Sequence, residues 1–326
     1  MKSQSASHNA TNIDIRRRTF IEKSTLAGLS LLLGGQSTSA ATKQAVIRKV
    51  IPASGEQIPV MGAGASFFSN LSVRDVQALL KNLYDQGGTV IDTAAYYGSG
   101  GSERFIGEAL QNLKIRKKIF ISTKFNAVGH DFGEGDTIHG AESFERSLKN
   151  LRTDYVDLLE VHKPSGAELL MPLMQRYKRE GRARYIGVTT WLRNEHELLV
   201  EYMRKYPLDF IQVDYSLGNR HAAETILPLA KERGMAVMVN VPLGGVGDSL
   251  MRRVSGRPLP DWAVEIGASS WSQLFLKYVV SHPAVTCAIP GSTKLEHLLD
   301  NQQAGLGVLP DAGVRKRMES YWDNFN

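Results

Sequence analysis

One cysteine, Cys287, is all that the sequence offers, so no intramolecular disulfide can staple the chain. That fits a reducing compartment, or a protein that folds before it is exported. Long hydrophobic runs are also missing. The apolar stretch from Leu26 to Leu33 falls far short of the roughly 20 residues that cross a bilayer, which excludes a stable membrane anchor there. No H-E-x-x-H and no Cys/His cluster argues for a metal. No basic face interleaved with aromatics argues for nucleic acid. The net charge of +6 is half explained by the first 41 residues, where Lys2, Arg16, Arg17, Arg18 and Lys23 oppose Asp14 and Glu22. The whole chain, 42% hydrophobic and 22% charged over 326 residues, has the composition of a globular protein with a sizeable core.

The N-terminal order is informative. A basic segment, RRRTFIEKS, is followed by a weakly apolar stretch and then by the small-residue run GGQSTSAAT. This order reads as a signal peptide over residues 1–41, cleaved after Ala40 or Ala41. Arg17-Arg18-Thr19-Phe20-Ile21 resembles the twin-arginine export motif; the alternative is a disordered basic tail. Twin-arginine export carries folded proteins and implies cargo acquired in the cytoplasm, most simply a bound cofactor. The expectation is a periplasmic or exported protein that meets the twin-arginine machinery in transit, or a cytoplasmic one if the signal goes unused.

From residue 45 onward, short β-branched runs alternate with amphipathic stretches. Eight runs read as strands: 58–64, 88–93, 118–124, 155–162, 183–190, 210–215, 235–242 and 284–290. Helical patterns fall at 72–86, 103–112, 141–150, 168–180, 194–206, 221–233 and 270–281, with Phe144, Leu148 and Leu151 at helical spacing in the third. Ser102 is the expected N-cap of the second, with Glu103 in its first turn. Strands alternating with helices imply a parallel sheet, and eight such units imply a closed (β/α)₈ TIM barrel, one domain over 42–326. The segment VIRKVIPASGEQIPV, with a central Ser-Gly turn, predicts a short N-terminal β-hairpin over the barrel floor. The rival is an open doubly wound sheet, but GAGASF has only the first two glycines of a G-x-G-x-x-G fingerprint.

Chemistry in such barrels collects at the C-terminal ends of the strands. Asp92, Lys124 and His162 end three consecutive predicted strands, and Tyr97 follows Asp92 by five residues at the same opening. A tyrosine donates a proton at neutral pH. A neighbouring ammonium favours the phenolate, a carboxylate holds that ammonium charged, and a histidine orients a carbonyl or relays the proton. The set suits protonation of an oxygen becoming an alkoxide. It holds no nucleophile and no electron source, so a reduction needs a hydride cofactor.

These residues resemble the aldo-keto reductase family, including members that carry a twin-arginine signal. DTAAYYG is similar to the family's D-T-A-x-x-Y-G, FISTK to its lysine strand and RTDYVDLLEVHKP to its histidine strand. GRARYIGVT, QVDYSLGNR, VPLGGVG and IPGSTKLEHLLDN follow in the family's order, so the resemblance spans residues 46 to 310. It implies a catalytic tetrad of Asp92, Tyr97, Lys124 and His162, with hydride passing from a nicotinamide to the carbonyl carbon of an aldehyde or ketone while Tyr97 protonates the oxygen. It implies that Gln212 bonds the carboxamide together with Thr189 and Thr190, that Tyr215 stacks on the ring, and that Pro242, Leu243 and Gly244 wrap the pyrophosphate. Gly291, Ser292, Lys294, His297 and Asn301 match the adenosine-phosphate segment. Gly291 and His297 stand where many members have lysine and arginine, while Ser292 and Lys294 still suit a 2′-phosphate, so NADP is expected ahead of NAD.

Two other readings stay open. One is a non-catalytic nicotinamide-binding redox sensor that acts through a protein partner. The other is a hydrolytic barrel, for which Glu160, one pleat below His162, is the extra carboxylate to watch. Phe67, Phe68, Phe125, Trp191 and Trp262 are candidate walls for an apolar substrate pocket, and the glycine-rich loop from Phe125 to Thr137, with His130 and His139 in or near it, is expected to be mobile.

Overall fold

A computed structural model describes residues 44–126, 137–245 and 247–325. The expected signal segment, His130 and most of the loop after Phe125 lie outside the described residues.

The chain enters through a two-stranded antiparallel hairpin, β1 (Arg48–Val50) and β2 (Gln57–Pro59). Eight parallel strands follow: β3 (Ala63–Gly64), β4 (Val90–Asp92), β5 (Phe120–Phe125), β6 (Val156–Val161), β7 (Ala183–Thr189), β8 (Phe210–Asp214), β9 (Ala236–Asn240) and β10 (Cys287–Ala288). Each pairs with the next in chain order. Parallel bridges from Met61 to Ala288 and from Gly64 to Gly291 join the first strand to the last and close the ring. Around it lie α1 (Val73–Asp85), α2 (Gly101–Leu113), α3 (Thr137–Leu151), α4 (Ala167–Arg179), α5 (His196–Lys205), α6 (Ile226–Glu232), α7 (Leu250–Arg253), α8 (Trp271–Ser281), α9 (Leu295–Gln303) and α10 (Ala312–Asp323). The fold is a (β/α)₈ barrel with an N-terminal hairpin.

The pleat explains how one sequence builds both a core and a site. Alternate residues of a strand face opposite sides. Val90, Phe120, Leu158, Tyr185, Phe210, Ala236 and Cys287 form one buried cluster with Ile51 and Ile58 of the hairpin, which plugs the floor of the barrel. Two residues further along the same inward faces stand Asp92, Ser122, Glu160, Gly187 and Gln212, so this side of the interior turns polar toward the C-terminal ends, while Met238 and Ile289 stay with the apolar cluster. The outward set, including Ile91, Ile121, Leu159 and Ile211, packs on the helices. In α1, Val76, Leu79, Leu80 and Leu83 form the buried stripe. Its start is fixed by a capping box, with the Asp75 amide donating to Ser72 Oγ and the Ser72 amide to the Asp75 carboxylate.

Two local expectations are corrected. The run 58–64 is not one strand: it divides into β2, which pairs antiparallel with β1 in the hairpin, and β3, which pairs parallel with β4 in the barrel. Ser102 is not the N-cap of α2. Gly100 caps it in a left-handed conformation (φ 83°) that glycine adopts without strain, and Ser102 lies buried inside the first turn, donating to the Ala65 carbonyl at 2.7 Å.

Candidate active site

A cavity of about 400 Å³ opens at the C-terminal ends of the strands, lined by Asp92, Tyr97, His162, Thr189, Gln212, Asn240 and the loop from Val241 to Gly245. A second cavity, of about 420 Å³, is lined by Asn70, Ser292, Thr293, Lys294 and His297, and shares Phe67 and Gly291 with the first. Together they make one cleft running from the barrel mouth to the turn before α9.

At the floor, Lys124 is 1% exposed and directs its ammonium into the fork of Asp92, at 2.5 and 2.6 Å, and onto the Thr93 carbonyl at 2.9 Å. Burial alone disfavours the ammonium. The charges of Asp92, Tyr97 and Glu160 and the bond to Asp92 outweigh it, so Lys124 is held above its ordinary value and stays charged. Its nitrogen lies 5.6 Å from the centre of the Tyr97 ring. Among the described residues the Tyr97 hydroxyl makes no hydrogen bond, which leaves it for a ligand oxygen.

The balance at Tyr97 differs from the expectation that Lys124 lowers its pKa. Burial pushes the phenol up; Lys124 pulls it down, Asp92 and Glu160 push it up again, and the net shift is upward. Tyr97 therefore holds its proton at neutral pH. His162 meets Tyr97 edge-on, with ring centres 5.7 Å apart. Burial, with the charges of Lys124 and Lys163, lowers its pKa to about 3, so the imidazole is neutral and offers one donor and one acceptor. Tyr96 is not among the residues lining the cavity; it is 43% exposed and sets its ring edge-on to that of His162, 6.3 Å away.

The residues expected to hold a cofactor divide into those the cleft gathers and those it does not. Thr189, Gln212, Pro242, Leu243, Gly244, Gly291, Ser292, Lys294 and His297 line it. Thr189 donates to Gln212 Oε1 at 2.9 Å, and Gln212 Nε2 donates to Asp92 at 3.0 Å. Thr190 does not line the cleft: its hydroxyl donates to Glu195 at 2.5 Å and accepts from the Leu192 amide, closing the turn before α5. Asn301 faces α8 and accepts from Ser272 at 2.5 Å. Tyr215 is turned out of the barrel. Its ring packs on Tyr278 and its hydroxyl accepts from Arg315 at 2.8 Å, so it presents no face to the cavity.

Asn240, missed in the sequence, stands at the inward end of β9 and donates to the Thr190 carbonyl at 3.0 Å. The next residue, Val241, is held at φ 49°, a left-handed conformation unfavourable for a β-branched side chain, where the chain bends around the cleft. Of the candidate pocket walls, Phe67 and Trp191 line the cavity; Phe68 and Phe125 belong to the core, and Trp262 packs edge-on to Tyr321.

The chain is similar to known proteins. The chain is 26% identical over 295 residues to a probable aldo-keto reductase 1 of Glycine max, covering 80% of this chain and 83% of that one. It is 28% identical over 293 residues to a probable voltage-gated potassium channel subunit beta of Oryza sativa, covering 76% and 87%. The solved structure of an aldo/keto reductase from Klebsiella pneumoniae in complex with NADP and acetate superposes with a TM-score of 0.66 at 25% identity, covering 82% and 93%. The model of the aldo/keto reductase family matches residues 60–321, and the chain belongs to that family.

Proposed function

We propose that the protein is an NADP(H)-dependent reductase of aldehydes and ketones, with Asp92, Tyr97, Lys124 and His162 as its catalytic set. The observation that carries this reading is the unengaged Tyr97 hydroxyl beside a neutral His162 and above a buried Lys124–Asp92 pair, at the closed end of a long cleft. The cleft fits a dinucleotide. Its inner end holds amide and hydroxyl groups, its middle is a backbone loop with Gly244 and Gly245, and its outer end carries Ser292, Lys294 and His297. Bound there, the cofactor supplies the hydride. Gln212 and Thr189 would hold its carboxamide, and Lys294 and Ser292 its 2′-phosphate.

A substrate carbonyl oxygen sits between Tyr97 and His162. His162 donates a hydrogen bond to it, Tyr97 delivers the proton as the oxygen gains charge, and Lys124 steadies the phenolate left behind. Because Tyr97 is protonated at neutral pH, reduction is the direction for which the site is prepared. Phe67 and Trp191, 60% and 42% exposed at the mouth, suit a flat apolar or aromatic group on the carbonyl.

The deciding test follows NADPH absorbance with an aromatic aldehyde. The wild type consumes NADPH, and Tyr97→Phe lowers turnover by about 10²–10⁴-fold while still binding the cofactor. The likeness to a channel β subunit favours a second reading, a redox sensor acting through a protein partner. That reading predicts cofactor binding without turnover in both forms. Residues 1–41 are read as the export signal, and N-terminal sequencing of the protein from a periplasmic fraction tests it: a start after Ala40 or Ala41 supports export, and an intact terminus rejects it.

A further inference from the structure

Glu160 is a buried acid that the tetrad does not use. It is 0% exposed, inward on β6, in register with Lys124 of β5 and Gly187 of β7. Its carboxyl needs the space that glycine leaves. A Cβ at position 187 would lie 3.2 Å from Glu160 Oε1 and 2.8 Å from the Phe210 carbonyl. Oε2 accepts from Ser122 Oγ at 3.1 Å and from Gln212 Nε2 at 3.2 Å, and Oε1 has no partner among the described residues.

The same Gln212 nitrogen donates to Asp92 Oδ1 at 3.0 Å. An ionised Asp92 can only accept, which fixes which end of the amide faces it. Gln212 thus spans two carboxyl groups with one NH₂, and its oxygen receives the Thr189 hydroxyl.

The charges do not balance if both acids ionise. Lys124 has three N–H donors, and the two Asp92 oxygens and the Thr93 carbonyl take all of them. An ionised Glu160 would therefore be fully buried with two neutral hydrogen bonds and no ion pair among the described residues, which is a costly state. The charged or titratable groups around it are Asp92 on β4, Tyr97 in the loop after it, Lys124 on β5 and His162 further along β6; the groups facing it from β7 and β8, Gly187 and Gln212, carry no charge. Burial, reinforced by Asp92 and opposed by Lys124 and Ser122, raises its pKa to about 8.

We propose that Glu160 is a positioning residue that works as a neutral carboxylic acid, pinning the Gln212 amide against Asp92 and, when it ionises at alkaline pH, suppressing the oxidative direction of the reaction. This rests on the reductase reading. In that direction the alcohol O–H proton passes to the Tyr97 oxygen and the C–H hydride to the nicotinamide, so Tyr97 must first be a phenolate. A second anion beneath the site opposes that phenolate. The site then gains little from high pH, although tyrosine ionisation alone would make oxidation faster.

The test compares wild type with Glu160→Gln on either side of pH 8. In the wild type, alcohol oxidation levels off or falls above pH 8. In Glu160→Gln it keeps rising, and the two profiles diverge by about tenfold or more, one pKa step. Glu160→Leu removes the acceptor for Gln212 and raises the nicotinamide KM by about tenfold with a smaller change in kcat. Parallel profiles, or an unchanged KM, overturn the proposal. Infrared spectroscopy of the protein without substrate gives an activity-independent readout: a carboxylic-acid C=O band present at neutral pH, lost on titration through about 8 and absent in Glu160→Gln. That band supports the neutral acid even if no carbonyl is turned over, in which case the reductase reading alone fails. No titrating band in the wild type overturns the proposal, whether or not the variants fold.

Discussion

Lys124 and Asp92 form a closed pair: both carboxylate oxygens lie within 2.6 Å of one ammonium, and both side chains are almost fully buried. Removing one partner leaves the other charged and buried, at a cost of about 3–5 kcal/mol. Lys124→Met is therefore expected to lower unfolding free energy at neutral pH by about that amount, read from urea denaturation. The double variant Asp92→Asn/Lys124→Met buries no orphan from this pair and should recover most of the loss. Turnover should not recover, because Lys124 is the group that opposes the upward shift of Tyr97. Additive stability losses would show that the pair is not coupled.

A neutral His162 has consequences for pH. Its pKa falls from an ordinary 6.5 to about 3 on folding, with burial the largest cause. Between those values the unfolded chain binds a proton that the folded chain refuses. The contribution of His162 to stability is thus fully present above 6.5 and is lost as pH falls toward 3. His162→Asn should flatten the acid limb of stability against pH by up to about 1.4 kcal/mol per pH unit. In the wild type, carbonyl reduction should show no limb near 6.5. A limb there that vanishes in the variant would mean that the imidazole titrates normally.

The barrel is legible in the sequence because two periods alternate along it: inward residues two apart on strands, apolar stripes three and four apart on helices. The same period of two places Asp92, Lys124 and His162 on one inner wall. It also accounts for the outward placement of Tyr215. Gln212 and Tyr215 are three residues apart, so the pleat sends them to opposite faces, whereas Ala236, Met238 and Asn240 alternate inward and would have exposed Asn240. Other features depend on contacts that no local pattern carries. The engagement of Thr190 with Glu195 and of Asn301 with Ser272 depends on which partner comes within reach. The direction of the Tyr97 shift depends on burial outweighing Lys124. Helix α10 hides its apolar residues, Met318 and Trp322, among Arg315, Lys316 and Arg317, and only packing on Phe275 reveals its inner face.

Cys287 reports on the integrity of the barrel. It is 0% exposed inside the ring, and burial pushes its thiol far above the ordinary range. A thiol reagent should label no cysteine in the native protein and one after denaturation, at a rate set by opening of the core. Rapid labelling without denaturant would mean that β10 leaves the ring easily.

The placement of Tyr215 separates structure from binding in a pair of variants. Its hydroxyl accepts from Arg315 and donates to Tyr278 at 3.1 Å, and Tyr278 in turn donates to Glu319 at 2.6 Å. These bonds tie the end of β8 to α8 and α10. Tyr215→Phe removes a hydrogen bond from a charged donor and should destabilise the fold by about 1–3 kcal/mol, while NADPH affinity stays within about twofold. Gln212→Ala should do the reverse where it matters. It removes the amide at the floor of the cleft, and NADPH affinity should fall about tenfold, the weight of one well-placed hydrogen bond at 1.4 kcal/mol. Tryptophan fluorescence titration gives both affinities, and urea denaturation gives both stabilities. Loss of affinity in Tyr215→Phe with stability intact would put that ring back against the nicotinamide and require β8 to turn over in the bound state.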